Sequence, residues 1–127
     1  MIDGKQIVVL DDDIFLSQMI SEILTFEGYT ATLFANGEEL LAQLENCRPD
    51  LILLDIKMPG MSGYDVLKAI RQKSQVPVIM LTGVTETDSV SACMEMGADD
   101  YIKKPFYPHE LIARVRAKLR RSALQSA

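Results

Sequence analysis

The sequence predicts an α/β protein in which one parallel sheet carries helices on both faces. Short apolar runs alternate with segments of helical periodicity along the whole chain. Two of these runs, at 51–55 and 76–81, are almost continuously apolar, as is typical of parallel strands that are covered on both sides. The chain has 127 residues, of which 48% are hydrophobic, and this is enough for a single domain with its own core.

The first half of the chain is predicted to contain three strands and two helices. The apolar residues of the first helix, Met19 among them, recur at the spacing of one helix face and are expected in the core. Gly28 follows at the place where a left-handed residue ends a helix, and Pro49 stops the second helix. The strands are expected at 6–10, 29–34 and 51–55, and the helices at 14–26 and 38–46.

The second half is predicted to contain two strands and three helices. Pro77 lies near the start of a strand, where its missing donor is tolerated, and Pro108 lies in the first turn of the last helix. The strands are expected at 76–81 and 99–102, and the helices at 64–72, 86–96 and 108–121, with a loop rich in Gly and Pro over 56–63. Residues 1–121 are therefore expected to form the domain, and residues 122–127 to begin a linker or disordered tail.

Composition and charge argue against several classes of protein. The net charge of −5, from 18 acidic and 13 basic residues, would be repelled by nucleic-acid phosphates, so we expect no direct nucleic-acid binding. The basic stretch 114–121 is interpreted as a solvated face near a helix C-terminus. The longest uninterrupted apolar runs, such as that at 51–54, are far shorter than the roughly 20 residues of a membrane helix. Cys47 and Cys93 are far apart, which favours reduced thiols and a cytoplasmic location.

Acidic, hydroxyl or basic side chains follow four of the five predicted strands. In parallel sheets, ligands bind outside the carboxyl ends of the strands, so these residues are expected at one edge. They are Asp11, Asp12 and Asp13 after the first strand, Asp55 at the end of the third, Thr82 and Gly83 after the fourth, and Lys103 and Lys104 after the fifth.

This set of side chains predicts phosphoryl transfer with a metal ion. Carboxylates crowded at one edge repel each other, and a hard cation relieves that repulsion, so Mg²⁺, with Mn²⁺ as a second option, is the expected cofactor. A metal, a lysine, a hydroxyl and an aspartate nucleophile are the parts that phosphoryl transfer needs. Each residue alone has an ordinary explanation; Asp13, for example, is a good helix N-cap. The prediction of phosphoryl transfer rests on the combination of these side chains at four strand ends.

These residues resemble the receiver domain of bacterial two-component response regulators, from about Lys5 to Arg121. The motifs are the acidic pair after the first strand, LILLDIKMPGMSG around Asp55, LTG around Thr82 and GADDYIKKPF around Lys104. The resemblance implies a flavodoxin-like, chemotaxis-regulator-like fold, a doubly wound five-stranded parallel sheet of order 2-1-3-4-5 with five helices. It also implies a signalling switch, which is no enzyme beyond its own phosphorylation and dephosphorylation.

The resemblance implies a role for each site residue. Asp55 would accept the phosphoryl group, and Asp12 and Asp55 would bind Mg²⁺ directly. Asp11 would bind the ion mainly through water, and Lys57 would contribute only its main-chain carbonyl. The residues expected to respond to the phosphoryl group are Lys104, whose peptide bond to Pro105 would be cis, Thr82, and the rotameric aromatic residue Tyr101.

The implied partners are a sensor histidine kinase or a phosphotransfer protein, with no membrane contact. Phosphorylation would shift the face made by the fourth helix, fifth strand and fifth helix. The last helix resembles those of receivers joined to winged-helix DNA-binding domains, which dimerise through this face. Residues that could form ion pairs there are Asp99, Asp100, Glu110, Arg114 and Arg116. Residues 84–97 depart from that pattern because they contain no Lys or Arg.

Two other families use similar parts. A haloacid-dehalogenase-type phosphatase would use Asp11 as its nucleophile and Asp13 two residues later, but Phe15 stands where its motif has Thr or Val. A flavodoxin-like flavin protein has the same topology, but the acidic groups at this edge would repel a flavin phosphate. The identity of the phosphorylated aspartate, Asp55 or Asp11, separates a receiver from the phosphatase.

Overall fold

The computed structural model describes the backbone of residues 4–83 and 87–126 and the side chains of residues 4–83 and 91–121. Within these residues, five strands form one parallel sheet in the order β2-β1-β3-β4-β5, as predicted. The strands are β1 (Gln6–Leu10), β2 (Thr30–Phe34), β3 (Leu51–Asp55), β4 (Val78–Thr82) and β5 (Asp100–Lys103). The helices are α1 (Ile14–Phe26), α2 (Gly37–Cys47), α3 (Gly63–Lys73), α4 (Thr87–Glu95) and α5 (Pro108–Ser126).

Alternation along the strands divides the core into two layers. Val8 and Leu10 of β1 pack on the side of α2, α3 and α4, whereas Ile7 and Val9 pack on the side of α1 and α5. Every residue of β3 and β4 is buried because helices cover both faces. The doubly wound arrangement brings the carboxyl ends of β1, β3, β4 and β5 next to one another.

Local sequence signals begin the helices close to that edge. The side chains of Asp13, Asn36 and Ser62 accept hydrogen bonds from backbone N–H groups in the first turns of α1, α2 and α3. Asp65 completes a capping box with Ser62. The first turns of these helices are therefore fixed beside the strand ends.

The structure changes three details of the prediction. Helix α5 continues to Ser126, five residues beyond its predicted end at 121, while the domain boundary itself stays a prediction. Strand β4 begins at Val78 and ends at Thr82, so Thr82 belongs to the strand. Met19 was expected in the core but is 45% exposed, because the buried face of α1 is centred on Ile20 and Leu24.

No helix in the described part of the chain is both long enough and apolar enough to span a bilayer.

Candidate functional site

Asp11 is the buried acidic residue at the end of β1. Its Oδ1 accepts a hydrogen bond of 2.9 Å from the backbone N–H of Asp13, and its own N–H donates to the carbonyl of Phe34. Asp12 is exposed beside it. Asp13 is the N-cap of α1, because its carboxylate accepts a 3.1 Å hydrogen bond from the N–H of Leu16. Of the three consecutive aspartates, only Asp11 and Asp12 belong to the cluster described next.

The carboxylates of Asp11, Asp12 and Asp55 come together at the junction of β1 and β3. Each offers one oxygen, and these oxygens lie within 4.8 Å of one another. Asp55 is the last residue of β3 and is only 5% exposed. Three carboxylates at this spacing are hard oxygen donors of the kind that bind Mg²⁺ or Mn²⁺, so the residues fit the expected ion. Lys57 is exposed in the loop that follows β3, and the role of its carbonyl stays a prediction.

Lys104 lies between two of these carboxylates. Its Nζ is 3.1 Å from Oδ1 of Asp55 and 3.2 Å from Oδ2 of Asp11. The backbone holds it there, because the N–H of Lys104 donates a 2.7 Å hydrogen bond to the carbonyl of Thr82. The Lys104–Pro105 peptide bond is cis, as predicted, and Lys103 is exposed. One ammonium therefore serves a cluster of three carboxylates, which leaves an excess of negative charge.

This charge distribution shifts the ionisation of the buried groups. Burial, reinforced by the charge of Asp11, raises the pKa of Asp55 from 3.8 to about 6, although Lys104 opposes the shift. Burial alone would lower the pKa of Lys104, but the carboxylates of Asp11 and Asp55 outweigh it and raise that pKa above its usual value. Asp55 is thus a carboxylate whose charge is poorly compensated, beside a firmly protonated lysine.

Thr82 brings a buried hydroxyl to the end of the neighbouring strand. The residue is fully buried, and its Oγ1 has no hydrogen-bond partner among the described residues. Buried polar groups in folded proteins are nearly always paired, so this hydroxyl is able to donate a hydrogen bond to an acceptor other than the described residues. Tyr101 is half-buried and packs with the core layer on the side of α2, α3 and α4. Its backbone is paired with Met80, not with Thr82, so Tyr101 lies outside the charged cluster.

Gly63 shapes the site, although the sequence pattern predicts only that it belongs to a loop. A Cβ at this position would lie 2.2 Å from the carbonyl oxygen of Asp55 and 2.7 Å from Cα of Ile56. The N–H of Gly63 donates a 2.8 Å hydrogen bond to the carbonyl of Ile56. The start of α3 therefore rests directly on the backbone that carries Asp55. The sequence offers only the spacing between Asp55 and Gly63 as a signal for this contact. A glycine in a predicted loop does not by itself show that two backbone segments touch.

Comparison with known proteins places this geometry in a family. Residues 7–116 match the response regulator receiver domain. The chain belongs to that family. This confirms the resemblance seen in the sequence, and neither the phosphatase nor the flavin protein is needed to explain the fold.

Receiver domains of named regulators are similar to this chain. It is 48% identical over 118 residues to the DNA-binding response regulator MtrA of Mycobacterium tuberculosis, a match that covers 93% of this chain and 52% of the relative. It is 45% identical over 118 residues to the sensory transduction protein RegX3 of Mycolicibacterium smegmatis, covering 92% of this chain and 51% of the relative. The chain spans about half the length of these curated relatives.

Solved receiver structures share the fold over almost the whole chain. The CheY-like receiver domain protein of Methanospirillum hungatei superposes with a TM-score of 0.89 at 34% identity, covering 95% of this chain and 98% of that one. The chemotaxis protein CheY4 of Vibrio cholerae gives a TM-score of 0.84 at 33% identity, covering 90% and 98%. The strand order found here is therefore that of a CheY-like receiver domain.

Proposed function

We propose that this receiver domain is a switch driven by phosphorylation of Asp55, with a sensor histidine kinase, a phosphotransfer protein or a small phosphodonor as the source. The observation that carries the proposal is the position of Lys104, within 3.2 Å of both Asp11 and Asp55 at an edge where carboxylates outnumber cations. An excess of carboxylates without a ligand destabilises the fold, so the arrangement is explained by what it binds.

Asp55 is the nucleophile in this proposal. One of its carboxylate oxygens attacks the phosphorus, the bond from phosphorus to the histidine nitrogen of the donor breaks, and the electron pair leaves with that nitrogen. A pKa of about 6 keeps most of the Asp55 carboxylate ionised at neutral pH. Asp11 is equally buried, but its two oxygens are already engaged by the N–H of Asp13 and by Lys104.

The other residues stabilise charge on the transferring group. Lys104 pairs with its oxygens, and the hydroxyl of Thr82 donates the hydrogen bond that it lacks in the described structure. Asp12 and Asp55 would hold Mg²⁺ directly, Asp11 through water, and Lys57 through its main-chain carbonyl. When bound, the ion neutralises negative charge on the carboxylates and on the phosphoryl oxygens.

The switch follows from the movement of two groups toward the new charge. Thr82 is the last residue of β4 and Lys104 directly follows β5, and the N–H of Lys104 donates a hydrogen bond to the carbonyl of Thr82. A phosphoryl group on Asp55 attracts both side chains and so biases the face formed by α4, β5 and α5, with Tyr101 turning inward as Thr82 moves. That face then presents a changed surface to an output domain or partner.

Intact-mass measurement after incubation with acetyl phosphate and Mg²⁺ tests the acceptor. We expect the wild type to gain one phosphoryl group, Asp55→Asn to gain none, and Asp13→Asn to behave as the wild type because Asp13 only caps α1. Omission of Mg²⁺ should suppress the gain. A gain that persists in Asp55→Asn and disappears in Asp11→Asn would transfer the nucleophile to β1 and overturn the proposal.

A further inference from the structure

The loop that joins β3 to α3, residues 56–62, is fixed at its base and has few polar contacts beyond it. At the base, the N–H of Gly63 donates a 2.8 Å hydrogen bond to the carbonyl of Ile56. Residues 57–61 form no hydrogen bond or ion pair with the described part of the chain. The residues of this stretch other than its two methionines are exposed. The placement of the loop therefore depends on the packing of the two methionine side chains.

Met61 is the methionine that reaches the backbone of a neighbouring helix. Both Met58 and Met61 are half-buried and pack on the core layer under α2, α3 and α4. Met61 also lies against the start of α2, because a Cβ on Gly37 would be 2.8 Å from its Sδ and 3.3 Å from its Cγ. Only a residue without a side chain leaves room for this contact. The unbranched thioether of methionine is well suited to filling such an irregular gap.

The start of α2 is a firm support for the side chain of Met61. Asn36 caps this helix, since its side chain accepts a 2.9 Å hydrogen bond from the N–H of Glu39. Gly37 is buried, and a Cβ there would also lie 2.5 Å from Cγ2 of Val66 in α3. The first turn of α2 thus packs on α3 and on Met61 together. Met61 therefore ties the loop to a part of the domain that is fixed independently of the loop.

We propose that Met61, wedged against Gly37, is a positioning residue for the metal ion. The role of Met61 rests on the proposed function, in which the main-chain carbonyl of Lys57 binds Mg²⁺. This ion demands near-ideal octahedral geometry, so a ligand on a loop must be held in place. The base of the loop fixes the backbone of Asp55 but leaves Lys57 without a hydrogen bond among the described residues. By packing on α2, Met61 keeps the Lys57 carbonyl close to the carboxylate cluster.

Mn²⁺ binding, followed by the electron paramagnetic resonance signal of the free ion, tests this role. We expect Met61→Ala to raise the Mn²⁺ dissociation constant about tenfold, the lower end of the loss seen when supports of metal ligands are removed. Met61→Leu keeps most of the side-chain volume and should restore most of the affinity. This rescue is expected because a thioether is a soft ligand that Mg²⁺ and Mn²⁺ do not favour, so Met61 acts through the loop and not as a ligand.

Met96→Ala is the matched control, because Met96 is a half-buried methionine of the same core layer near the amino end of β5. Like Met61→Ala, it should lower the midpoint of urea unfolding, but it should leave the Mn²⁺ dissociation constant unchanged. Asp12→Asn separates this role from the proposed function, since it removes a carboxylate of the metal site itself. Wild-type protein that binds no Mn²⁺, or binds it no more tightly than Asp12→Asn, would overturn the metal site and the role of Met61 together. Weak binding by Asp12→Asn with equal affinities in Met61→Ala and Met96→Ala would overturn the role of Met61 alone.

A substitution on the α2 side of the contact gives a second test that leaves Met61 intact. Gly37→Ala would place a methyl group 2.8 Å from Sδ of Met61, so we expect it to displace that side chain and to weaken Mn²⁺ binding as Met61→Ala does. In the Met61→Ala background the displaced side chain is already absent, so Gly37→Ala should cause no further loss of Mn²⁺ affinity. Full affinity in Gly37→Ala, or additive losses in the double variant, would overturn the proposal.

Discussion

Two ionic clusters lie at opposite ends of the same sheet, and they differ in how completely their charges are satisfied. At the amino ends of β4 and β5, Arg71 donates from all three guanidinium nitrogens, and Asp99 accepts from both Arg71 and the N–H of Val78. At the carboxyl ends, three carboxylates share one lysine and a threonine hydroxyl has no described partner. Within the described part of the chain, the first cluster has a partner for each charged group, whereas the second has more carboxylates than cations.

The difference teaches how structural and functional charges can be distinguished in one small domain. Burial lowers the pKa of Arg71, and pairing with Asp99 at 2.9 Å partly offsets this effect, while carbonyls of Gly97, Ser74 and Val76 accept hydrogen bonds from its guanidinium group. This cluster joins the end of α3 to the segment between α4 and β5. In the other cluster, burial and the negative charge of Asp11 raise the pKa of Asp55 by more than Lys104 lowers it. Charge that is buried and incompletely paired among the described residues is the feature that supports a functional role for this edge.

Removal of Arg71 should give the largest effect on stability. Arg71→Met leaves three carbonyls and Asp99 without their donor, so we expect the free energy of unfolding to fall by about 2–4 kcal/mol in urea titrations. Arg116→Met is the control, because it breaks an exposed ion pair with Glu27 and should change stability by less than about 1 kcal/mol. Equal losses in the two variants would contradict a special role for the Arg71 cluster.

Gly63→Ala should destabilise the carboxyl end of β3 through steric overlap alone. The added methyl would overlap the backbone of Asp55 and Ile56, which are the fixed end of a buried strand, so we expect a loss of about 2–3 kcal/mol. Gly60→Ala gives the comparison, since no atom lies within 4 Å of its would-be Cβ, although its positive φ adds a smaller strain. Equal free energies of unfolding for the two variants would contradict the close contact between Gly63 and the backbone of Asp55.

Asp55→Asn should stabilise the metal-free protein at neutral pH. The pKa of Asp55 is about 6 in the folded protein against 3.8 without the fold, so the folded state favours the protonated form. The stabilising contribution of the Asp55 carboxyl to the free energy of unfolding is fully present below about pH 4. It is lost as the pH rises through about 6, and a pKa shift of this size limits it to about 3 kcal/mol. We therefore expect the free energy of unfolding of Asp55→Asn to exceed that of the wild type by about 1–3 kcal/mol at pH 7. Below pH 4 this difference should disappear. Urea titrations at both pH values measure the difference, and an Asp55→Asn variant less stable than the wild type at pH 7 would contradict the account.

The convergence of these side chains at the carboxyl edge of the sheet could be predicted because its signal is local. Each strand is a short apolar run, and the residue that follows it is fixed by chain direction, so Asp11, Asp55, Thr82 and Lys104 could be assigned to one edge. The Arg71 cluster could not be predicted in this way. An arginine on an amphipathic helix is usually solvated, and its partners here are 26 and 28 residues away. The missing partner of the Thr82 hydroxyl and the exposure of Met19 depend in the same way on tertiary packing.

Two buried hydroxyls offer the smallest and most selective comparison. Ser17 donates to the carbonyl of Asp11, whereas Thr82 has no described partner. We expect Thr82→Val to leave stability unchanged or raise it by up to about 1 kcal/mol, and Ser17→Ala to lower it by about 1 kcal/mol. Thr82→Val should at the same time slow phosphorylation by acetyl phosphate in the intact-mass assay. A clear loss of stability in Thr82→Val would mean that its hydroxyl is already satisfied.

Hydrogen–deuterium exchange, compared with and without acetyl phosphate and Mg²⁺, tests most directly whether the two ends of the sheet have different roles. We predict changed exchange at the carboxyl ends of β4 and β5, including Thr82 and Lys104, with unchanged protection around Arg71 and Asp99, and no change anywhere in Asp55→Asn on addition of acetyl phosphate. Equal changes at both ends, or changes centred on the Arg71 cluster, would contradict the division between an anchored end and a responsive end.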